Sequence, residues 1–177
     1  LLTPADADWP ARSADLGPHA PLCLWTRGDT GLLSIPAPAL ALVGARASTT
    51  YGDFVAAELA AESAAAGVTV VSGGAYGIDG AAHRAAVAAG GATVAIMAGG
   101  VDRAYPAGHR DLIERIVREG LVVAEVPCGT TPTKFRFLAR NRLIAALSDA
   151  TVVVEAGWRS GAHNTAHHAQ MIGRPVG

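Results

Sequence analysis

A chain of 177 residues with 50% hydrophobic composition suits one domain with a sizeable core. A net charge of −1 excludes a polycation, so any nucleic-acid binding has to come from a local basic patch. No apolar run approaches membrane-spanning length and no signal peptide is visible. Cys23 and Cys128 have neither zinc-site spacing nor the number for a disulfide framework, which fits a reducing cytoplasm. A first residue of leucine and an end at Pro175-Val176-Gly177 read as an ordered fragment of a longer protein.

Residues 1–38 are rich in Pro, Asp and Gly, with Trp9 and Trp25 as isolated anchors, and read as an irregular lead-in packed on a main domain over 39–177. A strand is expected at 39–43 and a helix near 53–66, then a strand at 68–72 and a helix near 78–89. A strand at 93–98, a helix near 110–119 and a strand at 121–126 follow. A helix near 138–147, a strand at 151–155 and a helix near 165–172 complete the pattern. Gly67, Gly90-Gly91, Gly120 and Gly173 stand where helices should end. Strands alternating with helices of this length imply βαβ crossovers: an α/β, three-layer arrangement with a mostly parallel sheet covered on both faces. In such sheets the loops leaving the carboxyl ends of the strands gather on one edge, where ligands bind.

The turn Ser72-Gly73-Gly74-Ala75-Tyr76-Gly77-Ile78-Asp79 runs from strand end to helix start. It reads either as an anion cradle, offering backbone N–H groups and the Ser72 hydroxyl, or as a turn whose glycines serve close helix–sheet packing. It is neither the GxGxxG fingerprint nor a Walker A loop. Asp79 fits a complement to the helix start better than a catalytic acid. Arg46, just after another strand, either forks hydrogen bonds to a phosphate or forms a structural salt bridge. Tyr51 reads equally as a core aromatic or a ligand contact.

The stretch 134–142 is the densest basic run: Lys134, the only lysine, joins Arg136, Arg140 and Arg142, with Phe135 and Phe137 interleaved and no acid. Cations for phosphates and rings for bases suit sequence-tolerant single-strand binding. Arg140 and Arg142 are two apart and cannot share a helix face, so one of them is expected to serve the fold by pairing with Asp149 or Glu155. Phe137 reads as a stacking residue or as core. In the loop after 151–155, Ser160-Gly161 with Thr165 reads as a second phosphate cradle. His163 and His167 have i,i+4 spacing, but only the adjacent His168 offers a third ligand, so solvated histidines are favoured over a metal. His83, in an alanine-rich stretch, fits a buried, hydrogen-bonded histidine. No GxSxG, no cysteine–histidine motif and no carboxylate pair emerges, which favours binding over catalysis.

Taken in order, several pieces resemble the DNA-processing protein A (DprA/Smf) family. They are Val43-Gly44-Ala45-Arg46 with Tyr51-Gly52, the 72–79 turn, Ala82-His83-Arg84, Tyr105-Pro106 and Phe137 with Arg140-Asn141-Arg142. Leu147-Ser148, Val154-Glu155-Ala156, Ser160-Gly161 and Gly173-Arg174 continue the series. The resemblance implies an extended Rossmann-like domain that binds single-stranded DNA, including DNA taken up in natural transformation, and helps load the RecA recombinase. It also implies a homodimer; from the residues themselves no cofactor, metal or membrane attachment is expected. Matched residue by residue, DNA or phosphate binding falls on Arg46, Ser72 with Gly73, Lys134, Phe137, Arg140 and Asn141, and the reading of the two loops adds Gly74, Tyr76, Ser160 and Gly161 to the expected site. Many relatives carry leucine and arginine where this turn has Gly74 and Tyr76, and a tyrosine there can stack on a base. The alternative is a nucleotide-processing, phosphoribohydrolase-like enzyme on a related fold, although the Pro-Gly-Gly-x-Gly-Thr-x-x-Glu element of such enzymes is missing from this sequence.

Overall fold

The computed structural model of the chain describes residues 1–34 and 37–177; Ile35 and Pro36, within the expected lead-in, lie outside the described residues. The strands are β1 (Trp25–Gly28), β2 (Ala39–Gly44), β3 (Thr69–Ser72), β4 (Thr93–Met97), β5 (Leu121–Ala124) and β6 (Ala150–Glu155). The helices are α1 (Thr50–Ala65), α2 (Ile78–Ala88), α3 (Arg110–Glu119), α4 (Lys134–Ala146) and α5 (Ala162–Met171). One six-stranded sheet has the order β1-β5-β4-β3-β2-β6, parallel except for β1, which runs antiparallel to β5.

Two-residue alternation sorts each strand between two helical layers. Ala39, Ala41 and Val43 of β2, Val71 of β3, Val94 and Ile96 of β4, and Leu121 and Val123 of β5 share one core with Leu143 and Ile144 of α4 and Ala162 of α5. On the other face Leu42 and Val70 meet Ala60 of α1 and Ala82 and Ala86 of α2. Ala95, Met97 and Val122 there pack on Ile113 and Ile116 of α3. The expected three-layer architecture is therefore present.

Residues 1–34 are more ordered than the lead-in reading implies. Leu2, Leu16 and Leu24 are buried in the α4/α5-side core, and β1 closes one edge of the sheet. Helix α4 begins four residues earlier than expected because the Thr133 side chain accepts from the Arg136 N–H and caps it. Gly67, Gly90 and Gly173 follow α1, α2 and α5 with positive φ, whereas Gly120 ends α3 in extended backbone. Arg174 donates to Ala145 O at 2.8 Å, to the Ala146 and Ser148 carbonyls, and to Asp15 at 2.6 Å, so it ties off the C-terminus of α4.

From β2 the chain moves through β3, β4 and β5 to one side of the sheet, then returns to place β6 on the other side of β2. The loops after β2 and β6 consequently diverge at a topological switch point, which opens a crevice at the carboxyl edge. Among the described residues no helix is long and apolar enough to cross a membrane.

Candidate nucleic-acid interface

A groove of about 840 Å³ occupies that crevice. The 44–47 segment after β2 forms one wall, the 157–161 loop after β6 another, and the amino-terminal half of α4 a third. Arg46, Lys134, Phe137, Arg140, Asn141, Ser160 and Gly161, all expected site residues, line it. Ser72, Gly73, Gly74 and Tyr76 do not.

Arg46 and Lys134 are exposed, and among the described residues neither forms an ion pair. The Arg46 guanidinium lies 4.5 Å from the centroid of the half-buried Phe137 ring, and Tyr105 packs on the same ring at 5.7 Å. Phe137 is thus neither plain core nor a bare platform. Lys134 and Arg136 fall in the first turn of α4, which holds no acid. Positive charge at the positive end of a helix dipole is unfavourable on its own and favourable beside an anion.

Arg140 differs. Only 7% exposed, it donates to Gly73 O at 2.8 Å and to the Ile96 carbonyl, and its Nε reaches Asn141 Oδ1 at 3.3 Å. Burial pulls the guanidinium down to about 10; Asp79 opposes that shift and Arg46 reinforces it. Arg140 therefore props the 72–79 turn against β4. Arg142 also serves the fold, through Glu125 at 2.6 Å and His19 O at 3.0 Å. The expected partners are engaged elsewhere: Asp149 with Arg12 and the Ala39 N–H, Glu155 with the Thr49 N–H and hydroxyl.

The turn itself corrects the cradle expectation. Ser72 is fully buried and its hydroxyl donates to Leu42 O at 2.6 Å, so it is not offered to a ligand. The N–H groups of Gly73 and Ala75 donate to Asp79 Oδ2 at 3.1 and 3.3 Å. An internal carboxylate occupies the seat imagined for a phosphate. Burial pushes the Asp79 carboxyl up, against the pull of Arg140 and of these two N–H donors. A Cβ on Gly73 would stand 2.6 Å from Arg140 Nη1 and 2.7 Å from Asp79 Oδ2, so only glycine fits between them. Tyr76 turns away from the groove onto His109, edge to face at 4.8 Å, and His109 Nδ1 lies 3.1 Å from Gly74 O. Tyr76 and Gly74 thus brace the turn against the start of α3.

Asn141 is 7% exposed; its Nδ2 donates to Gly161 O and Asn164 Oδ1, each at 3.2 Å, which fastens the 157–161 loop to α4. Ser160 Oγ accepts from the Ala162 N–H at 3.3 Å, at the start of α5. Tyr51 is 75% exposed and stands outside the groove. His83 is fully buried, with Nδ1 2.8 Å from the Thr93 hydroxyl. Among the described residues no group of three or more His, Cys, Asp or Glu is placed to hold a metal. Among the groove residues outside the expected set are an exposed ring and an exposed cation, Trp158 and Arg159, in the very loop singled out for Ser160-Gly161. Their signal, an aromatic and a cation side by side in a glycine-flanked loop, is visible in the sequence.

The comparisons with known proteins show the family of the chain and its fold. The family model of DNA recombination-mediator protein A matches residues 1–177. The putative DNA processing protein DprA of Mycobacterium tuberculosis H37Rv is 52% identical over 187 residues, which cover 99% of this chain and 48% of that protein. The crystal structure of DNA processing protein A from Streptococcus pneumoniae superposes with a TM-score of 0.91 at 36% identity, over 99% of this chain and 60% of that one. The Helicobacter pylori DNA processing protein A, described for its single-stranded DNA binding mode, superposes at 0.87 with 34% identity, over 94% of this chain and 75% of that one. The chain spans about half the length of the curated relatives it matches. Matched from end to end by the family model and by relatives over nearly its whole length, the chain belongs to the DNA recombination-mediator protein A family.

Proposed function

We propose that this domain binds single-stranded DNA along the groove between the β2 and β6 loops. The observation that carries the reading is that two exposed cations, which form no ion pair among the described residues, line one groove with an aromatic ring: Arg46, whose guanidinium covers Phe137, and Lys134, three residues before that ring on α4. Cations attract the phosphates, and a ring face takes a base whatever its identity. A duplex keeps its bases stacked inside, so an aromatic reader of this kind favours single strands. Within the full-length protein we assign the domain to a cytoplasmic recombination mediator that protects incoming strands during natural transformation, hands them to RecA and works as a homodimer. This part rests on family membership.

Of the expected DNA contacts, Arg46, Lys134, Phe137, Ser160 and Gly161 remain direct candidates, while Ser72, Gly73, Gly74, Tyr76, Arg140 and Asn141 act by shaping the walls. No observation favours the phosphoribohydrolase-like alternative. The carboxylates lining the groove, Asp79 and Glu155, are both engaged in internal hydrogen bonds.

The test is a salt titration of oligonucleotide binding. Affinity for a dT oligomer should fall with salt and exceed affinity for duplex of the same length. Arg46→Ala and Lys134→Ala should each reduce the slope of log K against log salt by about 0.7, one phosphate contact on a single strand. Unchanged slopes in both variants would overturn the site, and equal binding of duplex would overturn the substrate.

A further inference from the structure

We infer that Trp158 is a second base-stacking platform, on a different wall of the groove from Phe137, so that a bound strand is held at two aromatic stations. The inference rests on the single-stranded DNA reading and goes beyond it, because it assigns a separate contact on a different element.

Trp158 is 96% exposed. A lone exposed apolar side chain needs no explanation by itself, and Leu22 and Met171, at 86% and 72%, have none here. Trp158 differs from them by lining the groove. An indole holds a large apolar area that folding would ordinarily use. Here that area is kept in water beside the cavity where a planar ligand would be drawn.

The loop that carries it is tethered at both ends. On the β6 side, Glu155 is fixed by the Thr49 N–H at 2.9 Å and hydroxyl at 3.0 Å. On the α5 side, Gly161 O is held by Asn141. Between them the Ser160 N–H donates to Gly157 O at 2.8 Å, which closes a tight turn with Trp158 and Arg159 at its tip. The ring therefore projects from a short, anchored turn, and little ordering remains for a ligand to impose.

The two rims repeat one composition. On α4 the exposed Lys134 accompanies Phe137; on the 157–161 loop Arg159 accompanies Trp158. Among the described residues Arg159 has no ion-pair partner. A ring with a neighbouring cation matches one nucleotide, base on ring and phosphate on charge. Two such pairs on different elements lining one groove match a flexible strand that runs through it. They suit neither a free phosphate nor a duplex.

The test uses the 177-residue chain and a dT oligomer. Trp9 and Trp25 are half-buried, so Trp158 should dominate any change in indole fluorescence. Binding should quench the emission in the wild type and leave it nearly unchanged in Trp158→Ala. Affinity should fall about 5- to 100-fold in Trp158→Ala and largely recover in Trp158→Phe. The salt slope should stay as in the wild type, because no charge is removed. An oligomer carrying abasic sites should lose the Trp158-dependent part of the affinity. If Trp158→Ala binds as the wild type does while Arg46→Ala still flattens the salt slope, this inference fails and the groove assignment stands. If the wild type binds no oligomer, both fail. A Trp158→Ala variant with altered molecular mass in solution but unaltered DNA affinity would make Trp158 a protein contact and overturn the inference.

Discussion

The Arg46 guanidinium covers the ring of Phe137, 4.5 Å from its centroid. A strand entering the groove meets these side chains as a pair. A base that takes the ring face displaces the guanidinium, and the displaced charge is then free to reach a phosphate. The two residues should therefore be energetically coupled in binding. A double-mutant cycle with Arg46→Ala and Phe137→Leu is expected to give non-additive losses of single-strand affinity, with a coupling of about 0.5 kcal/mol or more. Strict additivity would show that they act separately.

Arg140 tests the opposite assignment, a cation that serves the fold. Removing it leaves Asp79 buried with its nearest compensating charge gone. Arg140→Ala, which also strips the Gly73 and Ile96 carbonyls of their donor, should lose about 1–3 kcal/mol in urea unfolding, whereas the exposed Arg46→Ala should change stability by no more than about 0.5 kcal/mol. A folded, fully stable Arg140→Ala that fails only in DNA binding would reverse the assignment.

Gly77 lies where the 72–79 turn touches the β2 loop, with φ +72. A Cβ there would stand 2.2 Å from Ala45 O and 2.7 Å from Arg46 O. Gly77→Ala combines an unfavourable backbone region with a backbone clash and should cost at least about 2 kcal/mol, seen as a drop in Tm of roughly 4 °C or more. A variant that melts with the wild type would mean that the two loops do not approach as described.

His83 predicts a pH effect. Its Nδ1–H faces the Thr93 hydroxyl, which itself donates to Val70 O, while Nε2 is buried without a partner among the described residues. Burial, reinforced by His109, Arg140 and Arg84, pulls the imidazole from 6.5 down to about 3. Below 6.5 the unfolded chain binds a proton that the folded one refuses. This contribution to stability is complete above 6.5 and declines as pH falls toward 3. Asp79, pushed up, works in the opposite sense, but equally in wild type and variant. Between pH 6 and pH 5 the wild type should lose about 1 kcal/mol more than His83→Leu in chemical unfolding. Parallel pH profiles would contradict a neutral buried imidazole.

The sheet and its helices were legible because Val, Ile and Leu runs of strand length alternate with alanine-rich stretches and end at glycines. Strand β1 was not. Trp25-Thr26-Arg27-Gly28 shows no apolar alternation, and its place comes from pairing with β5. The start of α4 hid behind Pro132 and a basic run, with Thr133 as the one local sign. At the site, the position of the cations after β2 and on α4 followed from topology, but their burial did not. Arg140 and Arg46 look alike in sequence, and only packing separates the prop from the exposed cation. Ser72 was decipherable in part. It follows Val71, which faces the α4 side, so strand alternation already turns its hydroxyl to the other face, toward Leu42 O.

The carboxylate of Asp79, seated where a phosphate-gripping loop would hold its ligand, has one more consequence. A loop that neutralises its own donors neither waits for a ligand to become ordered nor prizes any single anion. On the single-stranded DNA reading proposed above, free phosphate and mononucleotides then find no tight seat to compete for, and affinity accumulates along a polymer through linked weak contacts, each raising the effective concentration of the next. Such a groove measures the length of what it holds before it measures anything else.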